Sequence, residues 1–363
     1  MAKRQEPYKT RLSKRDITIL IELYQLQAIR ARDIVDAHYG GKEYGFQRLQ
    51  RVCDKGYIER TFTVRDNGQR YRSVYSITDK GVEELLKTEV IKQERRARDL
   101  KLMTGEMLER IDVSKVAINL EKAGWEILGS RDAKPLLGLP TNSIMQCFFT
   151  SPKPEDEKYR VYLMGNTIKE NTLTKLYTEL AESKSASIVL YKTEEIREET
   201  PAYQDFVKKI TEERILPSQL CLLPLVEFAE KGSEERKNFV INAMLYGGQT
   251  QLEQYLRSKY GVIRYSDNRY HFGNVIIEQE GEEYYVCNYL RRDRVALKML
   301  VEGFTIDDHR STGKKVVVVT WKGYVDEVRS AIDSYQKRDF IQVKGITVQD
   351  IIDSQQDNVK KGA

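Results

Sequence analysis

Apolar residues recur every three or four positions through the first part of the chain, which is the period of an α-helix buried on one face. Ser13 is a predicted N-cap with Asp16 three residues on, and the apolar stripe behind it runs to about Gln27. The residues of this stripe are Ile17, Leu20, Ile21 and Tyr24. A short second helix is predicted over 32–38. It ends before the glycine pair 40–41, which permits the positive φ of a tight turn.

A third helix is predicted from about Lys42 to Lys55, and Gly56 ends it. Its inward positions are Phe46, Leu49 and Val52/Cys53. The pattern then becomes strand-like over 57–64 and 71–77, with a turn at Asp66-Asn67-Gly68 between the two strands. Three helices followed by a β-hairpin predict a winged helix-turn-helix, which we assign to a first domain over 1–81.

Charge is distributed unevenly between this domain and the rest of the chain. The whole chain carries a formal net charge of +5, but residues 1–80 hold 17 basic and 10 acidic side chains, a net charge of +7. The remaining residues are close to neutral, at −2. A basic module attached to a neutral body is typical of proteins that contact duplex DNA. The alternative is a solvated charged helix beside a protein-binding wing.

The predicted DNA contacts lie on the outward face of the third helix and on the hairpin. A helix fits the major groove, where Gln47 and Arg48 are expected to meet base edges. Arginines beside the hairpin tip are expected to meet phosphates or the minor groove. The predicted set is Lys42, Tyr44, Gln47, Arg48, Arg51, Arg65, Arg70 and Arg72.

The segment 82–111 contains strong helix formers, no proline and a single glycine, Gly105. Apolar positions at spacings of four and three form a heptad-like seam, which predicts one long helix that joins two copies of the chain. The residues predicted to lie in this dimer seam are Leu86, Val90, Ala97, Leu100 and Met107. The alternative is a linker helix that packs on its own chain.

The rest of the chain is predicted to be two tandem α/β units, over 112–230 and 231–363. Tyr159-Arg160-Val161-Tyr162 aligns with Tyr284-Tyr285-Val286-Cys287, and 188–190 aligns with 316–319. The offset is 125–128 residues in both cases, which indicates one pattern written twice. The predicted fold class is therefore α+β and multidomain.

Three segments resemble a known family. They are Lys55-Gly56-Tyr57-Ile58, then Tyr75 to Gly81, then Asp112-Val113 through Gly124-Trp125-Glu126. Together they are similar to the replication-relaxation family of plasmid and mobile-element proteins from Gram-positive bacteria. The resemblance covers residues 12 to about 200 and implies a role in plasmid replication and DNA relaxation. It also implies that the second domain has a restriction-endonuclease-like fold.

Active enzymes of that fold carry an Asp and a Glu/Asp-x-Lys on adjacent strands, because two carboxylates must hold a divalent metal. The corresponding strands 144–150 and 159–165 carry no carboxylate, so the units are expected to be degenerate and non-catalytic. The dispersed cysteines and histidines form no CxxC, HxH or HExxH pattern, and the chain has no phosphate-binding glycine loop. We therefore expect no catalytic residue, no metal and no cofactor.

The function expected from these patterns is sequence-specific binding of double-stranded DNA for replication or DNA relaxation of a mobile element. A homodimer is expected, with a replication or relaxase protein as a further partner. One alternative is a winged-helix transcription regulator whose α/β body senses a ligand or partner, and another is a cryptic metal-dependent nuclease. With no apolar run of membrane-spanning length and no signal peptide, a cytoplasmic location is expected.

Overall fold

The computed structural model describes the chain except for residues 1–11, 65–69, 90, 92–94, 153–156, 166–167, 184, 194–199, 214–216, 227–237, 267–269, 271, 336–338 and 362–363. The described residues form a mixed α/β fold with three β-sheets. The chain divides into two compact units, Met1–Thr141 and Asn142–Ala363, called unit 1 and unit 2 below. None of the described helices is long and apolar enough to cross a membrane.

Unit 1 begins with the helices and hairpin that the sequence predicts, plus one short strand. Its elements are α1 (Lys14–Leu26), β1 (Ile29–Arg30), α2 (Ala31–Tyr39), α3 (Glu43–Asp54), β2 (Ile58–Val64) and β3 (Arg70–Ile77). The strands form an antiparallel sheet in the order β1-β3-β2. Ser13 caps α1 as predicted, and Gly40 ends α2 with a φ of 61°, a left-handed conformation that glycine adopts without strain.

Unit 1 continues with α4 (Asp79–Lys87), α5 (Ala97–Leu100), α6 (Thr104–Lys122), β4 (Glu126–Gly129) and α7 (Ser130–Leu136). The prediction of one helix over 82–111 is wrong. The backbone leaves the helical conformation at Glu89, where φ is 56°, and is extended at Lys101 and Met103. Apolar side chains of the segment pack on their own unit, and this packing outweighs helix propensity.

The predicted dimer seam is wrong as well, because it requires the missing helix. Leu100 is 3% exposed, and its carbonyl accepts a hydrogen bond of 3.1 Å from Gln27 Nε2. Met107 packs against a core of Ala28, Val74 and Ile111. The other predicted seam residues are Leu86 and Ala97, half-buried on two separate helices, and Val90, which lies outside the described residues. A homodimer remains a prediction, but the residues of this seam no longer support it.

Unit 2 contains two sheets with the same order of connections. In the first, β5 (Cys147–Thr150), β6 (Lys158–Met164), β7 (Ala186–Thr193) and β8 (Leu220–Val226) are neighbours in that order. The first pair is antiparallel and the next two pairs are parallel. Helices α8 (Glu170–Ala181) and α9 (Pro201–Glu213) make the crossover connections between the parallel strands.

The second sheet has the order β9-β10-β11-β12-β13, again with a hairpin followed by parallel strands. The elements of this part of unit 2 are α10 (Phe239–Tyr246), α11 (Gln249–Tyr260), β9 (Arg264–Tyr265), β10 (Val275–Gln279), β11 (Glu282–Asn288), α12 (Arg294–Gly303), α13 (Ile306–Thr312), β12 (Lys315–Trp321), a 3₁₀ turn (Lys322–Tyr324), α14 (Val325–Ser334), β13 (Ile341–Ile346) and α15 (Val348–Lys361). The strands β6 and β11, which the sequence alignment pairs, occupy equivalent positions in the two sheets.

Buried arginines after β11 connect the two sheets of unit 2. Arg292, 2% exposed, donates to Tyr191 Oη on β7 (2.6 Å) and to both carboxylate oxygens of Glu327 on α14 (2.8 and 2.9 Å). The neighbouring Arg291 pairs with Glu157 and Tyr159 at the start of β6. Because these guanidinium groups belong to the second half of unit 2 and bond to residues of the first half, the two sheets meet through a buried polar cluster. The predicted boundary at 230/231 therefore falls inside one compact unit.

Candidate nucleic-acid interface

Helix α3 lies on α2 through a close contact at Gly45. A Cβ atom at this position would lie 2.8 Å from the Tyr39 side chain, so glycine is required for the approach of the two helices. The buried residues of α3 are Gly45, Arg48, Leu49 and Val52, whose i, i+3, i+4, i+7 spacing puts them on one face. The exposed positions of α3 lie on the other side of the helix and are available to a partner.

The outward face of α3 is polar and basic. Lys42, Gln47 and Arg51 are exposed as predicted. Tyr44 is 53% exposed, and its ring centre lies 6.0 Å from that of Tyr39 in an edge-to-face arrangement. Gln50, which the sequence analysis left out, is exposed as well and donates to Asp54 Oδ1 on the next turn (2.7 Å). This face combines amides and cations that can donate hydrogen bonds.

Arg48 is on the opposite face, and its prediction as a base-reading residue is wrong. It is 9% exposed, and its Nε donates to Oδ1 of Asp16 (3.0 Å) while Nη2 contacts Oδ2. The position follows from helical spacing, since residue 48 lies three positions after Gly45 and four before Val52. Arg48 joins α3 to the first turn of α1.

Asp16 is held on its other side by the backbone N–H and hydroxyl of Ser13, both at 2.7 Å. Burial raises the pKa of the Asp16 carboxyl, but the hydrogen bonds from Arg48 and Ser13 outweigh burial and leave the pKa lowered. The carboxylate is therefore charged at neutral pH and fully occupied in holding α1 and α3 together.

The hairpin places its predicted contacts differently. Arg65 lies outside the described residues, and Arg70 is described as a backbone position of β3. Arg72 is turned toward α6, where its Nη1 lies 3.9 Å from Oδ1 of Asp112, and 17% of its side chain is exposed. The sequence predicts that Arg72 contacts DNA from beside the hairpin tip, but the alternation of β3 directs its side chain back onto unit 1.

Arg60 on β2 belongs to the basic surface, although the sequence analysis left it out. The exposed guanidinium donates to Ser73 Oγ (2.7 Å) and to Gln50 Oε1 on α3 (3.4 Å), and it lies 4.8 Å from the centre of the Phe62 ring. Arg60 and Phe62 are two residues apart, which puts both on one face of the strand. That alternation was the signal available in the sequence.

Between α3 and the hairpin lies a groove of about 500 Å³. Gln47, Gln50 and Arg51 line it from α3, and Arg60 lines it from β2. Glu43 is the acidic residue of its lining. The groove thus presents two guanidinium groups and two amides on rigid elements. We call this set, with Lys42 and Tyr44, the α3–β2 face.

The other reactive residue types are paired or scattered where the structure describes them. Glu282 pairs with Lys315 and Glu283 with Lys314 on the surface of the β10–β11 hairpin. His38 contacts Glu22 (2.8 Å), whereas His271 lies outside the described residues. Among the described residues no group of three or more His, Cys, Asp or Glu could hold a metal ion.

Comparison with models of known protein families gives no match for this chain, and no curated protein matches it. The case for a function therefore rests on the residues and geometry described above.

Proposed function

We propose that residues 13–87 form a winged helix-turn-helix that binds double-stranded DNA, with α3 in the major groove and the hairpin beside it. The observation that carries the proposal is the α3–β2 face, an exposed row of amides and cations on a helix whose opposite face is buried. The order of elements, three helices with a short strand and then a hairpin, supports the same assignment.

The residues of the α3–β2 face form two groups, one placed to contact bases and the other placed to contact phosphates. Gln47 and Arg51 lie along α3, where an amide suits adenine and a guanidinium suits guanine in the major groove. Lys42 and Tyr44 lie at the amino end of α3, a position that favours phosphate contacts. Arg60 is held in place by Ser73 and Gln50, so its guanidinium is preorganised for a phosphate.

We propose further that this DNA binding serves a plasmid or other mobile element, by marking an origin or by regulating replication. The support is the resemblance of segments within 12–200 to the replication-relaxation family. A replication or relaxase protein is then the expected partner, and the chain itself acts without catalysis.

The direct test is selection of preferred duplexes from a random library by the full chain, followed by titration between about 50 and 200 mM salt. We expect a preferred sequence and an affinity that falls steeply as salt rises, because Lys42 and Arg60 displace counterions from phosphates. Binding without sequence preference and without salt dependence overturns the proposal.

Two substitutions separate base reading from phosphate contact. Gln47→Ala is expected to cost about 1–3 kcal/mol at the preferred sequence and to relax specificity there. Lys42→Ala is expected to weaken all duplexes alike and to reduce the salt slope by about 1. The matched control is Arg310→Ala, which removes an arginine with 71% of its side chain exposed on α13 of unit 2. If this control weakens binding as much as Lys42→Ala does, the α3–β2 face is not the binding surface.

A transcription regulator with a ligand-sensing body is the second candidate. A cavity of about 440 Å³ between the two sheets of unit 2 favours it, since ligand pockets have volumes of about 300–1,000 Å³.

A further inference from the structure

The cavity lies where the two halves of unit 2 meet. Glu157 and Gln219 line it from the first half, while Gln249, Asn274, Asn288 and Arg291 are among the residues that line it from the second. It sits beside the end of β11, whose last residue is Asn288. Clefts at such junctions between structural halves are common ligand sites.

Charged groups around the cavity already compensate one another. The Arg291 guanidinium contacts Glu157 and Tyr159 and donates to the Met244 carbonyl (3.1 Å). Asp293 Oδ1 accepts the backbone N–H groups of Leu220 and Val295, at 3.2 and 3.0 Å. Among the lining residues that the structure describes, no cation is left to hold a phosphate, which favours an uncharged ligand.

Amide groups supply the hydrogen bonding. Asn288 donates to the Gly247 carbonyl (3.2 Å) and to Gln249 Oε1 (3.4 Å), which fixes the orientation of both amides. Each amide oxygen has two lone pairs, so both keep acceptor capacity. The half-buried Asn274 side chain forms no hydrogen bond with any residue in the described part of the chain, so its donors and acceptor are free for a ligand.

One buried donor also lacks a partner. Arg291 is 5% exposed, and its Nε–H is buried without an acceptor among the described residues. An unsatisfied buried donor costs free energy, so the position of the Arg291 side chain is fixed by its other contacts, to Glu157, Tyr159 and the Met244 carbonyl. Glycines keep the cavity wall close to this arginine, since a Cβ at Gly248 would lie 2.8 Å from Arg291 Nη2.

Aromatic rings complete the lining. Tyr270 and Phe272 both line the cavity, with ring centres 5.2 Å apart and planes 23° apart. Phe272 is 4% exposed and belongs to the core, so the half-buried Tyr270 is the ring beside the amide groups that suits a planar ligand with polar edges. From these contacts we propose that the cavity binds an uncharged nucleobase or nucleoside, with Asn274 contacting the polar edge of the base. This site is independent of DNA binding by unit 1.

The test is calorimetric titration of the full chain, without DNA, with adenosine, guanosine, cytidine and uridine and with their 5′-monophosphates. We expect saturable binding of at least one nucleoside and weaker binding of its monophosphate, because the added charge meets Glu157 while the described cation of the lining, Arg291, is already paired. Failure of all four nucleosides to bind at millimolar concentration overturns the proposal, and so does tighter binding of the monophosphate.

Two variants locate the site. Asn274→Ala is expected to weaken nucleoside binding about tenfold, the effect of one or two lost hydrogen bonds. Asn274→Asp keeps the shape of the side chain but removes its donors. It is therefore also expected to weaken nucleoside binding, with the least risk to folding. Asn171→Ala, the same change at an exposed position of α8, is the control and is expected to bind like the parent. Equal binding by the Asn274 variants and the parent overturns the proposal.

Discussion

Arg48 and Asp16 form a nearly buried ion pair between α3 and α1, with 11% and 0% of their side chains exposed. The pair fixes α3 to its own domain, as the proposed entry of α3 into a DNA groove requires. Loss of either partner leaves the other charge buried and unpaired, which is the costly case for ion pairs.

At the scale of this residue, we expect Arg48→Ala to lower the free energy of unfolding by about 3–5 kcal/mol. Arg51→Ala on the exposed face is the control, and its change is expected to stay within about 0.5 kcal/mol. Urea denaturation measures both. A stable Arg48→Ala variant that has lost its DNA sequence preference would instead make Arg48 a base-reading residue.

Glu121 on α6 is a second residue whose environment has a measurable effect. The pKa of its carboxyl is raised to about 7, mainly by burial and also by the nearby Glu22 of α1, while His38 of α2 acts to lower it. One of its carboxyl oxygens is buried and has no hydrogen-bond partner among the described residues.

Between its ordinary pKa of 4.5 and about 7, Glu121 holds a proton when folded but not when unfolded. The free energy of unfolding is therefore expected to fall as pH rises through this window. Glu121→Gln removes that loss. The free energy of unfolding of the variant should therefore exceed that of the parent by about 1–3 kcal/mol at pH 8 and equal it near pH 4. Denaturation of both at the two pH values measures this, with the exposed Glu126→Gln as control. A constant difference would show that the carboxyl does not titrate there.

At the level of helices and strands, the sequence predicts the features that depend on local signals, such as helix ends. It does not predict the features that depend on packing between distant segments. The ends of α1 and α2 follow from Ser13 and Gly40, whose effects are exerted within one turn. The segment 82–111 has helical spacing, yet its apolar residues are divided between α4, α5 and α6. Which partner an apolar stripe packs against is set by tertiary contacts, and these cannot be read from spacing.

The α3–β2 face shows the same division. Exposure of Gln47 and Arg51 is predictable from the helical period, whereas the burial of Arg48 depends on its partner Asp16, which is 32 residues earlier. Arg60 joins the face through contacts with Gln50 and Ser73 on other elements. Sequence spacing gives direction on one element, but the assembly of several elements requires the fold.

Leu100 tests the reassignment of α5 from a dimer seam to the core of unit 1. We expect Leu100→Asp to destabilise unit 1 by about 3 kcal/mol or more, since it removes buried apolar area and buries a carboxylate. Leu136→Asp, at a position 74% exposed at the end of α7, is the matched control and should fold like the parent. Denaturation and sedimentation check both variants. A parent dimer that becomes a stable monomer on Leu100→Asp would restore the seam.

At the scale of the whole molecule, the polar cluster around Arg292 makes the two sheets of unit 2 interdependent. A fragment 238–363 would keep Arg292 with Glu327 but lose Tyr191, and Asp293 would lose the Leu220 N–H. We expect this fragment to lack a cooperative unfolding transition alone and to co-purify with a tagged fragment 142–226 when the two are co-expressed. Cooperative unfolding of fragment 238–363 at the parent's midpoint would show that the sheets fold separately.

This cluster also restricts how the gene can change. Two similar segments in tandem are ordinarily free to recombine, and one can be lost or transferred to another protein while the other continues to fold. Here a guanidinium that is 2% exposed takes partners from both segments, so a crossover between them would leave a buried charge without its partners. Relatives that retain Arg291 and Arg292 should therefore retain both sheets, and a relative with one sheet should carry apolar residues at these two positions.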